Sequence, residues 1–171
     1  MIRRRLLPLA VLLALAPAAA GCGDDNKDST TKAATQATAT SASTTTYQTQ
    51  VQTILTSVGT AGSTLGTAAQ ASSSSADIAT ALEKFQASVK QAADELSKLT
   101  APTKAQTGQD DLEQVLREIA DGVQPSIDAA KANNRTKFTT TFKAYQAKLD
   151  GAYRDRLTAA GAKIDKALAG Q

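Results

Sequence analysis

The chain contains no histidine and no tryptophan, a single cysteine, and six aromatic side chains, three Tyr and three Phe. Without histidine, the commonest general base and the commonest transition-metal ligand are both missing. One cysteine, Cys22, allows neither an internal disulfide nor a cysteine-rich zinc site. There is no glycine-rich phosphate loop, no serine in a nucleophile-elbow pattern and no carboxylate cluster at metal-ligand spacing. Serine and threonine are plentiful, but their activation would need a lysine or carboxylate base supplied by the tertiary structure. No enzyme activity is expected, and no catalytic residue, metal or cofactor is assigned.

An excess of positive charge is also missing once its position is considered. The formal net charge is +3, but Arg3, Arg4 and Arg5 lie at the extreme N-terminus, and without them 19 − 3 = 16 basic residues face 16 acidic ones. A neutral body gives little support to a general polyanion-binding role, and no nucleic-acid partner is expected.

What is present begins with a leader. MIRRR is a charged start, LLPLAVLLALAP an apolar core, and AAAGC a small-residue exit. That is the order of an export signal. The core is too short for a spanning helix, which needs about 20 apolar residues, and Pro8 and Pro17 weaken it further. The residues leave two other readings open: a retained membrane helix, and an ordinary secretory cut after Ala18-Ala19-Ala20 that leaves Cys22 a free thiol. Ala19-Ala20-Gly21-Cys22 resembles the lipobox of bacterial lipoproteins, although leucine is more usual where Ala19 stands. The resemblance implies cleavage between Gly21 and Cys22, with Cys22 carrying diacylglycerol and an N-acyl chain. Multiple acyl chains anchor stably where a single chain is marginal. A lone exposed thiol in an oxidising compartment is a liability that lipidation removes. Residues 1–21 are therefore read as a signal peptide.

Residues 22–46 follow as lipidated cysteine and tether. From Gly23 to Thr46 there is no large apolar side chain to offset the entropy of ordering, so the stretch is expected to be disordered. As a flexible coil of roughly 24 residues it would span on the order of 25–30 Å.

From Tyr47 onward the apolar residues fall at helical intervals. Tyr47, Val51, Leu55, Val58, Leu65 and Ala69 form a first stripe. Ile78, Leu82, Phe85, Val89, Ala92, Leu96 and Leu99 alternate steps of four and three. Leu112, Val115, Leu116, Ile119, Val123 and Ile127 make a third stripe. Phe138, Phe142, Tyr145, Leu149, Tyr153, Leu157, Ala160, Ile164 and Leu168 make a fourth. Ser74 with Asp77 has the spacing of a capping pair, Thr103 with Gln106 offers another, and Asn133-Asn134 suits a turn. The expected fold is all-α: an up-down-up-down four-helix bundle over residues 47–171, with helices at about 47–72, 76–100, 104–132 and 135–169. Pro125 should kink or break the third helix around Gly122–Pro125. Gly59, Gly62 and Gly66 each cost the first helix roughly 1 kcal/mol relative to alanine.

Three features are candidates for function. Asp110, Glu113, Arg117 and Asp121 should share a solvated face opposite the apolar stripe, with Glu113–Arg117 and Arg117–Asp121 as i,i+4 pairs. The last helix is basic, with nine Lys or Arg between Lys131 and Lys166 against Asp150, Asp155 and Asp165, and with Arg156 and Lys163 at the edge of the stripe. Such a helix either borders the bundle or attracts anionic headgroups. Phe138, Phe142, Tyr145 and Tyr153 form a ligand or partner face, expected to pack in the core or, opposite Gly59, Gly62 and Gly66, to line an apolar slot.

In layout the chain resembles the small alanine- and threonine-rich lipoproteins with helical bodies found in high-GC bacteria. The expectation is a lipid-anchored module on the extracytoplasmic face of the cell membrane, held there through Cys22 and acting by binding or structure. Its partner would be an envelope protein. The alternative is a carrier or sensor of a small hydrophobic ligand held between helices.

Overall fold

In the computed structural model, residues 34–71 and 74–170 are described, and every regular element among them is helical. Six segments make four rods: α1 (Ala34–Ala71), α2 (Ser75–Ser97), α3 (Gln106–Gly122) continuing into α4 (Gln124–Lys131), and α5 (Arg135–Lys148) joined by a π turn (Leu149–Tyr153) to α6 (Arg154–Ala169). The result is the expected four-helix bundle.

Local chemistry sets the boundaries. Ser74 Oγ accepts from the Asp77 N–H at 3.1 Å and donates to the Asp77 carboxylate at 2.6 Å, so the capping pair starts α2. Asn133 sits at φ 52°, a left-handed turn that asparagine tolerates, and Asn134 caps α5 by accepting from the Lys137 N–H at 2.9 Å. The expected Thr103–Gln106 cap is not made: Thr103–Ala105 forms a 3₁₀ turn, and Ala105 precedes α3 without a side-chain cap. The third rod breaks at Val123, as Pro125 requires.

The first rod differs from expectation at its start. Residues 34–46, assigned by composition to a disordered tether, are the opening turns of α1. No glycine or proline interrupts them, and adding a residue to an existing helix costs far less than nucleating one. Packing from Tyr47 onward provides the nucleus. Residues 1–33, including the leader, Gly21, Cys22 and the first part of the tether, lie outside the described residues.

The core is continuous through the rods. Leu82, Val89, Leu96, Leu112, Val115, Leu116, Val123 and Ile127 are almost completely buried. Ile54 replaces Leu55 as the buried member of the first stripe, and Ala69 is exposed. Close pairings join α1 to α2, α2 to α3 and α4, α3 to α6, and α4 to α5; α1 and the fourth rod are not among them. Ser75 Oγ donates to Asn133 Oδ1 at 2.8 Å, tying the α1–α2 turn to the α4–α5 turn at one end of the bundle. At the other end Lys104 Nζ donates to Gly170 O at 3.0 Å. No described helix is long and apolar enough to cross a membrane.

One position without a side chain decides how closely the third and fourth rods approach. A Cβ on Gly108 would lie 2.7 Å from Ile164 Cγ1 and 3.0 Å from the Ile164 backbone nitrogen, so α3 and α6 meet at a distance only glycine permits. Beside it Gln109 is buried, and its Nε2 donates to Leu96 O at 3.0 Å and Leu99 O at 3.2 Å, tying the start of α3 to the end of α2.

Candidate functional site

The aromatic face of the fourth rod is split in two by its packing. Tyr145 and Tyr153 are buried, whereas Phe138 and Phe142 are half-buried and stacked, with ring centroids 5.4 Å apart and planes 14° from parallel.

The tyrosines serve the break in the third rod. Where α3 stops at Gly122, carbonyls of its last turns take side-chain donors from α2 and from the fourth rod, while the missing N–H of Pro125 falls on Asp121 O. Tyr145 Oη donates to Ile119 O at 3.0 Å, and Gln86 Nε2 donates to Ala120 O at 2.9 Å. Tyr153 Oη donates to Glu118 O at 3.3 Å. Gly122 makes room, since a Cβ there would sit 3.0 Å from Tyr153 Oη and 3.3 Å from Tyr145 Cε2. Burial pushes the Tyr145 hydroxyl well above the usual phenol range, with neighbouring Tyr153 adding to the effect, so Tyr145 stays a neutral donor.

The π turn aligns these two rings. Eight residues at about 100° each would leave Tyr153 roughly 80° away from Tyr145 around an unbroken α-helix. The wider π turn at Leu149–Tyr153 takes back that offset, and both hydroxyls reach successive carbonyls of α3.

Tyr145 and Tyr153 thus pack in the core, and the alternative of a slot between the aromatics and Gly59, Gly62 and Gly66 is not formed among the described residues. A Cβ on Gly59 or Gly66 would meet nothing within 4 Å, and one on Gly62 would meet Phe85 Cε2 of α2 at 4.0 Å. The cause is the pairing order: α1 lies on α2, while the tyrosines lie on α3.

The acidic face of α3 is a set of interhelical ties. Arg117 pairs with Glu113 at 2.9 Å, as expected, but its second partner is Asp94 of α2 at 3.1 Å rather than Asp121. Asp121 instead takes Lys90 of α2 at 3.4 Å. An i,i+4 pair competes with any cation on the neighbouring rod, and here α2 supplies one. On the other flank Lys163 reaches Asp111 at 2.5 Å, and Arg156 grips both carboxylate oxygens of Glu118. Hydrogen bonding from Arg156 holds the Glu118 carboxyl below its ordinary range. Arg156 and Lys163 thus sit at the stripe's edge as expected, with α3 acids as partners.

Two shallow clefts, about 330 and 390 Å³, lie where α1 crosses the end of α2. Ile54 and Leu99 line the first, with Gln50, Glu95 and Lys98; Tyr47, Gln50, Lys98 and Leu99 line the second. Tyr47 is buried and its hydroxyl, with no hydrogen-bond partner among the described residues, is pushed up to about 12 by burial and by nearby Asp110. Among the described residues no group of three or more acidic, cysteine or histidine side chains is placed to hold a metal ion.

Sequence reasoning missed Gln109 and Gly108 as structural residues, although both continue the third stripe backwards, through steps of three and four, from Leu112. The Glu118–Arg156 pair joins rods 38 residues apart and has no local signal. No protein-family model, curated protein or solved structure compared with this chain matches it.

Proposed function

We propose that the chain is a lipid-anchored, extracytoplasmic helical module of the bacterial cell envelope that works through its surface, by binding or by structure. The observation carrying this reading is the lipobox-like Ala19-Ala20-Gly21-Cys22 at the end of an export-type leader. The bundle is consistent with a surface role. The two tyrosines of the expected ligand face spend their hydroxyls on α3 carbonyls, and the interior is filled by side chains such as Leu82, Leu116 and Ile127. The partner class is an envelope protein, and the anchor is the acylated Cys22.

The carrier alternative has one observation in its favour, the cleft of about 330 Å³ over Ile54 and Leu99 between α1 and α2. It lies on a different face from Phe138 and Phe142, where a hydrophobic ligand was expected. Its open, shallow form suits transient contact better than enclosure of a whole hydrophobe.

Intact mass of the protein extracted from membranes tests the proposal. Acyl chains on the wild-type N-terminal cysteine, absent from a Cys22→Ser variant that escapes the membrane fraction, are the expected result. An unmodified Cys22 thiol on the mature protein would overturn it.

A further inference from the structure

The cations of this protein are unevenly engaged. Lys90, Arg117, Lys131, Arg154, Arg156 and Lys163 all have ion-pair partners. Lys84, Lys98, Lys104 and Lys166 have no ion pair among the described residues but are scattered over α2 and its C-cap, the turn before α3 and α6, whereas α5 gathers its unpaired cations on one short helix. Its 14 residues, RTKFTTTFKAYQAK, hold Arg135, Lys137, Lys143 and Lys148 and no acidic residue. All four are exposed, and none has an ion pair among the described residues. The nearest acids along the chain are Asp128 on α4, which accepts from Gln124, and Asp150, just beyond the end of the helix.

Their arrangement is as informative as their number. Phe138, Thr141, Phe142 and Tyr145 turn inward. At about 100° per residue, the middle of the opposite side falls on Thr136, Thr140, Lys143 and Ala147, all exposed. Lys143 stands within this strip, Lys137 lies about 90° to one side of its centre, and Arg135 and Lys148 lie about 110° from it on opposite sides, at the borders of the buried stripe. Lys143 then meets a flat surface directly, and the long stems of Arg135, Lys137 and Lys148 bring their charges to it from the flanks. The hydroxyls of Thr139, Thr140 and Thr141 are turned back onto the carbonyls of Arg135, Thr136 and Lys137, which leaves charge as the main polar signal of this face.

We propose that the outer face of α5 docks on an anionic phospholipid surface, with Arg135, Lys137, Lys143 and Lys148 as the headgroup contacts. Charge complementarity selects the occupant: a helix roughly 21 Å long that carries four cations and no acid fits a flat sheet of phosphates. The inference rests on the anchored-module reading only for bringing a membrane within reach. With the anchor in place, docking would lay the bundle along the bilayer, because α5 occupies the part of the fourth rod beside the α1–α2 turn, remote from the end where α1 begins.

Sedimentation with vesicles tests this without the lipid anchor, using the chain from residue 22 onward carrying Cys22→Ser. Each cation near an anionic leaflet contributes roughly fivefold in partitioning, so four together give up to a few hundredfold. The expected result is strong binding to vesicles containing one-third phosphatidylglycerol over pure phosphatidylcholine, lost when salt rises from about 0.05 to about 0.5 M. An Arg135→Gln, Lys137→Gln, Lys143→Gln, Lys148→Gln variant should keep the wild-type circular dichroism and lose this binding. A control with Lys98→Gln, Lys104→Gln and Lys166→Gln should retain it. Equal binding to both vesicle types, binding that survives in the α5 variant, or loss confined to the control overturns the proposal. Release by millimolar inorganic phosphate at constant ionic strength also overturns it, in favour of a single-phosphate site. Because these chains carry no lipid, failure here leaves the acyl-mass measurement of the anchor unaffected, and the reverse also holds.

Discussion

Substituting Gly108 by alanine adds one methyl group, and ordinary helix propensity says the change should help by about 1 kcal/mol. The structure gives the opposite sign. The new Cβ would lie 2.7 Å from Ile164 Cγ1, 3.0 Å from the Ile164 backbone nitrogen and 3.2 Å from Ala160 O. The first contact can be relieved by a side-chain shift. The other two are backbone, so α3 and α6 must move apart, which puts the cost at the upper end of the usual range for overpacking, about 3 kcal/mol. The net expectation is a loss of about 2 kcal/mol, seen in thermal unfolding as a fall on the order of 8 °C for a domain of this size. Gly59→Ala is the matched control: nothing lies within 4 Å of its Cβ position, so the propensity gain should appear unopposed, as a rise of about 4 °C. A double-mutant cycle separates the two kinds of contact. In an Ile164→Ala background Gly108→Ala should remain destabilising, because the nitrogen and the Ala160 carbonyl are still in place, while its cost falls by the Cγ1 share. Should Gly108→Ala raise the melting temperature as Gly59→Ala does, the close approach of α3 and α6 is wrong.

Further expectations concern the tyrosines and the charged ties. Tyr145→Phe leaves Ile119 O buried without its donor and should cost about 1–3 kcal/mol in urea denaturation, with Tyr153→Phe costing less because its bond to Glu118 O is longer, 3.3 against 3.0 Å. Glu118 has its folded-state pKa lowered by Arg156, so the stabilisation from this pair is complete above the ordinary carboxylate pKa, near 4.3, and is lost as pH falls through the lower folded value. Melting curves from pH 6 downward should therefore fall less steeply for Glu118→Gln than for wild type. Tyr47 is raised to about 12, so its contribution is intact below about pH 10 and declines as pH climbs through the folded value. Ultraviolet titration of tyrosinate should show Tyr47 ionising late and together with unfolding, and Tyr47→Phe should remove that step.

How much of this was legible beforehand depended on the range of the interaction. The second and third apolar stripes reappear almost residue for residue in the core, because a helical period reports a buried face directly. Ser74 caps and Asn133-Asn134 turns as their positions imply, and Pro125 breaks its rod, because capping, turn and proline chemistry are complete within a few residues. The same locality misplaced the start of α1, where composition without apolar residues reads as coil although an adjoining nucleus lets helix propagate. The candidate site was harder to read. Four aromatics on one stripe looked equivalent, yet two became donors to a broken helix and two a surface stack.

The sequence alone determined the number of rods, the faces that the second and third bury, and the breaks at Ser74, Asn133-Asn134 and Pro125, since periodicity, caps and breakers act over one or two turns. It also carries the apolar stretch before Cys22, for which the export and lipidation reading is a proposal resting on residue chemistry rather than on conformation. Which rods lie side by side was decided only by the tertiary structure. That pairing sent Tyr145 and Tyr153 to the carbonyls at Gly122 instead of to the glycines of α1, gave Arg117 to Asp94, and made Gly108 a contact point. It also left α5 with four cations and no acid opposite them. Such outcomes depend on distances between residues far apart in the chain, and no local pattern encodes them.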